Sequence, residues 1–180
     1  MIRRCGDTEF ELIHAIINDA AIAYQGVIPA DCAKEPYMSK DELRQEITHG
    51  IEFWGFEQGA ELAGVMGIED VLDVTLIRHA YVRTSHRNQG IGGKLLSHLR
   101  GRTERPIMIG TWADASWAVR FYQQRGFRLV PAEETNGLLK KYWGIPQRQI
   151  ETSVALADQR WFESRETKWL RAREARLARR

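Results

Sequence analysis

A glycine-rich turn between a predicted strand and a predicted helix is the stretch of this chain best suited to bind a ligand. It follows the apolar, β-branched run Val74–Val82 and precedes the helical segment Lys94–Leu99; its residues are Arg87, Asn88, Gln89, Gly90, Ile91, Gly92 and Gly93. Glycines lack the Cβ atoms that keep an anion away from the backbone, and the first turn of a helix has N–H groups without internal partners. These N–H groups, the positive end of the helix dipole and the Arg87 cation together favour the binding of a phosphate or pyrophosphate at this turn. The alternative is a connection that uses small residues only for close packing.

Two common nucleotide-binding patterns do not fit the spacing of this turn. A P-loop needs a glycine five residues before its Gly-Lys pair and a Ser or Thr after it, but those positions hold Asn88 and Leu95. A dinucleotide fingerprint needs a third glycine three residues beyond Gly92, where Leu95 stands again. The sequence therefore excludes the P-loop and gives little support to a dinucleotide site.

A third pattern fits. The segment Arg87–Gly92 resembles the acetyl-CoA-binding motif of the GNAT acetyltransferase superfamily, Arg/Gln-x-x-Gly-x-Gly/Ala. Downstream, Ala118–Phe127 resembles the superfamily's Ala-x-x-Phe/Leu-Tyr-x-x-x-Gly-Phe. The two motifs occur in the expected order, separated by a predicted helix and strand, and the resemblance covers about residues 73–130. We therefore identify the chain as a member of this superfamily.

The resemblance implies an α/β (α+β) fold, with a GNAT-like mixed central sheet of about seven strands flanked by helices. It implies that the central strand splays away from the strand Pro106–Trp112, so that the pantetheine arm pairs with backbone groups in the slot. It also implies acetyl-CoA as cosubstrate, without a metal. The expected coenzyme-binding residues are Ala80, Tyr81, Val82, Arg87, Asn88, Gln89, Gly90, Ile91, Gly92, Gly93 and Ser116. Ser116 enters because Ala115 occupies a position where many members have a coenzyme-contacting asparagine.

The resemblance assigns the general acid more clearly than the general base. Tyr122 stands in the Phe-Tyr position of the second motif, where relatives commonly place a tyrosine that protonates the coenzyme sulfur; this role is favoured over the alternative that Tyr122 only packs like Phe121. An unperturbed tyrosine pKa of about 10 keeps that proton available at neutral pH. The position where some members carry a glutamate is Gly110 here. The candidate bases are therefore Asp73 and Glu69 at strand ends and His79 on the central strand.

The remaining elements follow from hydrophobic periodicity. Strands are predicted at 1–5, 51–56, 61–68, 73–82, 106–112, 127–130 and 150–157, with the last pairing with 127–130. Helices are predicted over 10–20, 39–47, 90–101 and 116–124, with 131–142 partly helical and Ser39 capping the second helix. A helical crossover makes strand 106–112 parallel to the central strand. Tyr24, Tyr37 and Met38 lie in a Pro- and Gly-containing loop, where packing is favoured over contact with substrate.

Composition favours one domain with a tail. The 180 residues are 43% hydrophobic with a net charge of +2, and they contain neither a signal-peptide pattern nor a run of about 20 apolar residues. The two cysteines and five histidines show no metal-ligand spacing. We expect a cytoplasmic protein without membrane association, with a domain at 1–158 and a basic amphipathic helix or tail at 159–180. Residues 160–180 contain eight Lys/Arg and three Asp/Glu, which suits docking on the protein's own body or a homodimer better than nucleic acid.

Three functions fit these features. The first is transfer of an acetyl group from acetyl-CoA to a primary amine of a small molecule, by direct attack in a ternary complex. The second is acetylation of a protein N-terminus or lysine, which would need an open groove beside the early helices. The third is a CoA-binding regulatory module without turnover, against which the presence of Tyr122 argues.

Overall fold

The computed structural model describes residues 1–177, which form seven strands and seven helices. None of the helices among these residues is long and apolar enough to span a membrane. In chain order the elements are β1 (Ile2–Arg4), α1 (Phe10–Ala21), α2 (Lys40–His49), β2 (Glu52–Gln58), β3 (Glu61–Val71), β4 (Val74–Val82), α3 (Ile91–Arg100), β5 (Ile107–Trp112), α4 (Ser116–Gln123), β6 (Arg128–Leu129), α5 (Ala132–Tyr142), α6 (Gln147–Glu151), β7 (Ser153–Ala157) and α7 (Gln159–Leu177).

All seven strands lie in one sheet, in the order β1-β2-β3-β4-β5-β7-β6. Only β4 and β5 run parallel, because α3 connects them as a crossover; every other neighbouring pair is antiparallel. The mixed sheet flanked by helices is confirmed, as is the pairing of the last strand with 127–130 through β6 and β7.

Strands β4 and β5 part in the middle of the sheet. Their pairing ends at Ile77↔Ile109, after which β5 continues its pairing with β7 from Gly110. Immediately beyond that point β4 has a β-bulge: Gly67 pairs with Arg78 but Val65 pairs with Tyr81, so β4 contains one extra residue. A bulge bends the strand and redirects its side chains. The predicted splaying of the central strands is therefore present, and its opening begins at the bulge.

Apolar clusters on both sides of the sheet hold this arrangement. Helices α3 and α4 cover one cluster, α1 and α2 cover the second, and α5 with the start of α7 covers the third. The predicted cap of α2 is present, since the Glu42 backbone N–H donates to Ser39 Oγ at 3.1 Å and α2 ends at Gly50 with φ 119°. The clusters are centred on Leu95, Leu96, Leu99 and Phe127; on Ile13, Ile16, Ile17 and Leu43; and on Leu76, Met108, Leu139 and Trp161.

The last strand is shorter than predicted. The sequence predicts a strand over 150–157, but Gln147–Glu151 form α6 and β7 begins at Ser153. Pro146 precedes this helix as its N-cap, and Ile150 is buried against the α5 cluster from a helical position. The apolar residue that contributes to the strand-like alternation therefore belongs to a helix. The strand predicted over 127–130 has only two residues, Arg128 and Leu129.

A buried aspartate joins α7 to the sheet. Asp158 is 1% exposed, and its Oδ1 accepts from the backbone N–H of Ile107 at 3.1 Å and of Trp161 at 3.3 Å. Its Oδ2 lies 2.8 Å from Arg160 Nε. The helix predicted in the tail is present as α7, whose Trp169 and Leu170 are exposed; residues 178–180 of the predicted tail lie outside the described residues. The division of the chain at residue 158 stays a prediction.

Replacing this carboxylate tests how α7 and β5 are joined. We expect Asp158→Ala to lower the free energy of unfolding by about 2–3 kcal/mol, because the buried N–H of Ile107 loses its acceptor and the Trp161 N–H and Arg160 each lose one of two acceptors. Denaturant unfolding of both variants measures the effect. Glu166→Ala, at an exposed position of α7, is the matched control and should change it by less than about 0.5 kcal/mol. Equal stability of the two variants would contradict this account of the joint.

Candidate active site

A large cavity of about 800 Å³ opens between the end of β4 and the helices α3 and α4. The structure brings most of the predicted coenzyme-binding residues to its wall. Two of them lie elsewhere: Gln89 is exposed and forms a hydrogen bond with Gln58, and Ser116 is exposed at the start of α4. The predicted residues on the wall are Ala80, Tyr81, Val82, Arg87, Asn88, Gly90, Ile91, Gly92 and Gly93.

The N-terminus of α3 provides this cavity with unpaired backbone donors. Its N-cap, Gly90, has φ 76° and no side chain to accept from the first turn. The N–H groups of that turn and the positive end of the helix dipole therefore favour an anion. Gly92 is a glycine for a steric reason, because a Cβ there would lie 3.3 Å from Phe121 Cζ. The helix can thus approach α4 closely at the edge of the cavity.

Two arginines and one histidine line the large cavity. Arg87 is held in place, since its Nη2 donates to the Ala20 carbonyl at the end of α1 at 2.9 Å. Arg125 lies over the Phe121 ring, 3.9 Å from its centroid, and donates to the Phe121 carbonyl at 2.8 Å. Arg125 and His86 were missed by sequence reasoning, because each occupies a position that neither motif specifies.

A small cavity of about 120 Å³ lies on the opposite side of the parting, between β4, β5 and the segment that joins α5 to β7. Its lining includes His79, Tyr37 and Trp143. Four residues line both cavities, and these are Tyr24, Ala80, Tyr81 and Tyr122. The two cavities therefore meet at the point where β4 leaves β5.

Tyr122 lies at this meeting point. It is 7% exposed, packs edge-to-face on Phe121 and Phe127, and lines both cavities. Burial, together with the neighbouring Tyr24 hydroxyl, raises the pKa of Tyr122 above its usual value, although Arg125 opposes the shift. The phenol therefore keeps its proton at neutral pH. The packing interpretation and the proton-donor interpretation are both compatible with this position.

Of the predicted base candidates, His79 alone lines either of these two cavities. It is the bulge residue of β4, with φ 50°, and it lines the small cavity. Its Nε2 lies 2.6 Å from Glu46 Oε2 of α2, and its ring stacks on Phe53 at 5.8 Å. Burial raises the pKa of Glu46, but the close contact with His79 and the charge of Arg78 outweigh it and hold this pKa below its usual value. No sequence signal indicated Glu46.

The other two base candidates lie away from both cavities. Asp73 is in the β3–β4 turn, where its Oδ1 accepts from the Tyr142 hydroxyl at 2.7 Å and lies 3.7 Å from Lys141 Nζ. Glu69 on β3 accepts from Arg78 Nη1 at 3.1 Å. The structure therefore does not bring Asp73, Glu69 and His79 together. The described residues include no cluster of three or more His, Cys, Asp or Glu side chains able to hold a metal ion.

Aromatic side chains form the wall between the early helices and the parted strands. Tyr24 stacks on Tyr37 at 6.0 Å, and the Tyr81 hydroxyl donates to the Tyr37 hydroxyl at 3.0 Å. Trp117 of α4 lies 5.4 Å from Tyr24 and lines the large cavity. Burial raises the pKa of Tyr24 to about 12. Of the three loop residues considered from sequence, Tyr24 and Tyr37 line a cavity, whereas Met38 is buried in the cluster under α1 and α2.

A sequence comparison identifies the family, and solved structures share the fold. A family model described as an acetyltransferase (GNAT) domain matches residues 18–139, which include both motifs. No curated protein matches the chain in sequence. Among solved structures, PaiA N-acetyltransferase from Thermoplasma acidophilum, in complex with coenzyme A, superposes with a TM-score of 0.65 at 17% identity, covering 88% of this chain and 97% of its own.

Two further structures have the same fold. A GNAT-family acetyltransferase from Staphylococcus aureus Mu50 gives a TM-score of 0.62 at 18% identity, covering 88% of this chain and 97% of its own. The ribosomal-protein-S18-alanine N-acetyltransferase from Escherichia coli gives 0.62 at 16% identity, covering 88% and 92%. With the family model matching more than half of its length, this chain belongs to the GNAT acetyltransferase family and is an acyltransferase.

Proposed function

We propose that this protein transfers the acetyl group of acetyl-CoA to a primary amine of a small molecule, by direct attack in a ternary complex. The observation that carries the proposal is the pair of cavities that share Tyr24, Ala80, Tyr81 and Tyr122. A thioester in the large cavity and an amine in the small one would meet across the parted strands. No covalent enzyme intermediate is then needed, because acceptor and donor are held in one site.

The large cavity suits the coenzyme. The uncapped N-terminus of α3 and Arg87 would bind the pyrophosphate. The β4 residues Ala80, Tyr81 and Val82 lie beyond the last β4–β5 pair, so their backbone groups on that side can pair with the pantetheine arm. One of these N–H groups would polarise the thioester carbonyl and stabilise the developing oxyanion.

In the proposed transfer, each bond that forms or breaks and each proton that moves is assigned to a specific group. The amine nitrogen forms the new bond to the carbonyl carbon, and the carbon–sulfur bond breaks as the tetrahedral intermediate collapses. Tyr122 donates its proton to the departing sulfur. His79 takes a proton from the attacking amine, directly or through a water molecule, and Glu46 at 2.6 Å holds the imidazole in place and stabilises its charged form. Of the three base candidates from sequence, this proposal retains His79 alone.

A small molecule is favoured over a protein as acceptor. Two structural neighbours are named as ribosomal-protein-alanine N-acetyltransferases, at 19% and 16% identity. In this chain the acceptor-side cavity is about 120 Å³, well below the roughly 300–1,000 Å³ of most ligand sites.

The free thiols of Cys5 and Cys32 support the cytoplasmic location expected from sequence, since reducing compartments keep thiols unpaired. The expected homodimer stays a prediction.

The phosphate-binding role of the turn can be tested by a charge at Gly92. We expect Gly92→Asp to abolish acetyl-CoA binding in a calorimetric titration, because the new side chain crowds Phe121 and places a negative charge at the pyrophosphate position. Gly101→Asp is the control at the other end of α3, where a Cβ would lie 3.5 Å from the His98 carbonyl oxygen, and this variant should bind like the parent. Circular dichroism checks that both variants are folded. Unchanged binding by Gly92→Asp would place the phosphate site elsewhere.

The role of Tyr122 separates proton transfer from packing. We expect Tyr122→Phe to lower kcat by about 10²-fold with the KM for acetyl-CoA nearly unchanged, the range expected for loss of a general acid. The measurement is CoA release, after a screen of amines, polyamines, amino acids and peptides has identified an acceptor. Tyr142→Phe, whose hydroxyl contacts Asp73 away from both cavities, should retain kcat. An unaltered kcat in Tyr122→Phe would leave this residue a packing role only.

The proposed base is tested by His79→Asn. Asparagine tolerates the positive φ of this position, so the bulge is kept while the imidazole is lost. We expect kcat/KM for the amine to fall by about 10²-fold at pH 7, and the acidic limb of its pH profile to change. His49→Asn, exposed on α2, is the control. A pH profile identical to the parent's would assign the base to another group.

A further inference from the structure

The small cavity has a distinctive chemistry: it is aromatic and contains no carboxylate. Among the described residues that line it, none is Asp or Glu. Six of its sixteen lining residues are aromatic, and the rest of the wall includes polar side chains; the aromatic residues are Tyr24, Tyr37, Tyr81, Trp112, Tyr122 and Trp143. Such faces attract one ammonium group through cation–π contacts and bury an apolar substituent, but they offer no counter-charge to a second cation.

Among the described residues on this wall, Arg78 is the one that carries a permanent charge, and that charge is already neutralised. Arg78 Nη2 donates to Glu46 Oε1 at 2.8 Å and Arg78 Nη1 to Glu69 Oε2 at 3.1 Å, with the Arg78 side chain 17% exposed. The carboxylates of Glu46 and Glu69 are thus both paired with Arg78, and Glu46 also contacts His79. A polycationic acceptor would have to compete with these partly buried ion pairs for a negative charge.

The size of the cavity is limited by Trp143. Its indole lies against the bare backbone of Gly110, where an added Cβ would be 3.1 Å from Trp143 Cε2 and 3.3 Å from Leu139 Cδ2. Because β5 carries no side chain at this point, the tryptophan occupies the space that a β5 side chain would fill. The cavity therefore stays at about 120 Å³.

We infer that the acceptor is a compact primary monoamine with an aromatic or apolar substituent, in preference to polyamines and other acceptors with a second positive charge. The inference rests on the proposed function. It assigns Trp143 as the residue that limits acceptor size, and the lack of a carboxylate as the feature that rejects polycations.

The test compares CoA release with 2-phenylethylamine, spermidine and a peptide with an N-terminal alanine. We expect kcat/KM to be at least tenfold higher for 2-phenylethylamine than for either competitor. A higher or equal kcat/KM for spermidine or for the peptide would overturn this inference and leave the acetyltransferase proposal standing. If acetyl-CoA binds in calorimetry but no amine in the screen yields CoA release, the proposed function fails and this inference fails with it.

Two substitutions make the test specific to the wall. Gln149→Glu is nearly isosteric and adds a carboxylate to the lining, so it should raise the ratio of spermidine to 2-phenylethylamine kcat/KM by about tenfold or more. Trp143→Ala should raise kcat/KM for a bulkier amine, 2-(2-naphthyl)ethylamine, relative to 2-phenylethylamine. Both variants should keep the parent KM for acetyl-CoA, because neither residue lines the large cavity. Unchanged acceptor ratios in both folded variants would overturn the assignment.

Discussion

The loss of pairing between β4 and β5 is the constraint on which the rest of the site depends. Backbone N–H and C=O groups in a sheet need partners, and a strand that parts from its neighbour leaves a row of them for a ligand. Here the last pair is Ile77↔Ile109, and the bulge at His79 follows within two residues. The bulge turns β4 away while β5 remains paired to β7 on its other side. One extra residue in a strand thus accompanies both the unpaired backbone surface that we assign to the thioester and the space that we assign to its acceptor.

Contacts with other elements hold β4 and β5 in place where the two strands part. The side of β4 near the parting packs under α1 and α2 through Tyr81, and β5 is held at its start by the buried carboxylate of Asp158. The guanidinium of Arg87 is bound to the end of α1, so the glycine-rich turn is joined to a helix distant in sequence. A site built on parted strands needs such external support, since the strands no longer support each other there.

Sequence analysis predicted the sheet well, and most of the residues that it assigns to the coenzyme share one cavity wall, because both results depend on local patterns. The glycine-rich turn, the Phe-Tyr motif and the alternating strands each carry their signal within about ten residues, and most predicted residues there line the large cavity. The acceptor side depends on contacts between distant segments. Glu46 reaches His79 from another helix, and Trp143 fills the space above Gly110 only after α5 has packed on β5. Neither contact has a local spacing that could reveal it.

The same limit explains the errors. Ile150 fits the alternation of apolar residues expected for a strand. However, a short helix begins after Pro146, and Ile150 is buried from a position in that helix. Asp73 lies at a strand end, as predicted, but at the end of β4 opposite to the parting, where it binds Tyr142. Gln89 belongs to the motif by position but its side chain turns towards Gln58. In each case the local pattern is present and the tertiary environment assigns the residue another role.

The four residues shared by the two cavities have a thermodynamic consequence. A ligand that packs against Tyr24, Ala80, Tyr81 or Tyr122 from one side fixes the surface that the other ligand meets. If the two cavities hold donor and acceptor as proposed, the two binding free energies are coupled, and the coupling is reciprocal: the factor by which the donor changes the affinity for the acceptor is the factor by which the acceptor changes the affinity for the donor. Free CoA lacks the acyl group at this wall, so the CoA-bound protein would bind an acceptor with a different affinity from the acetyl-CoA-bound protein. The affinity of the neighbouring cavity would therefore change in each turnover.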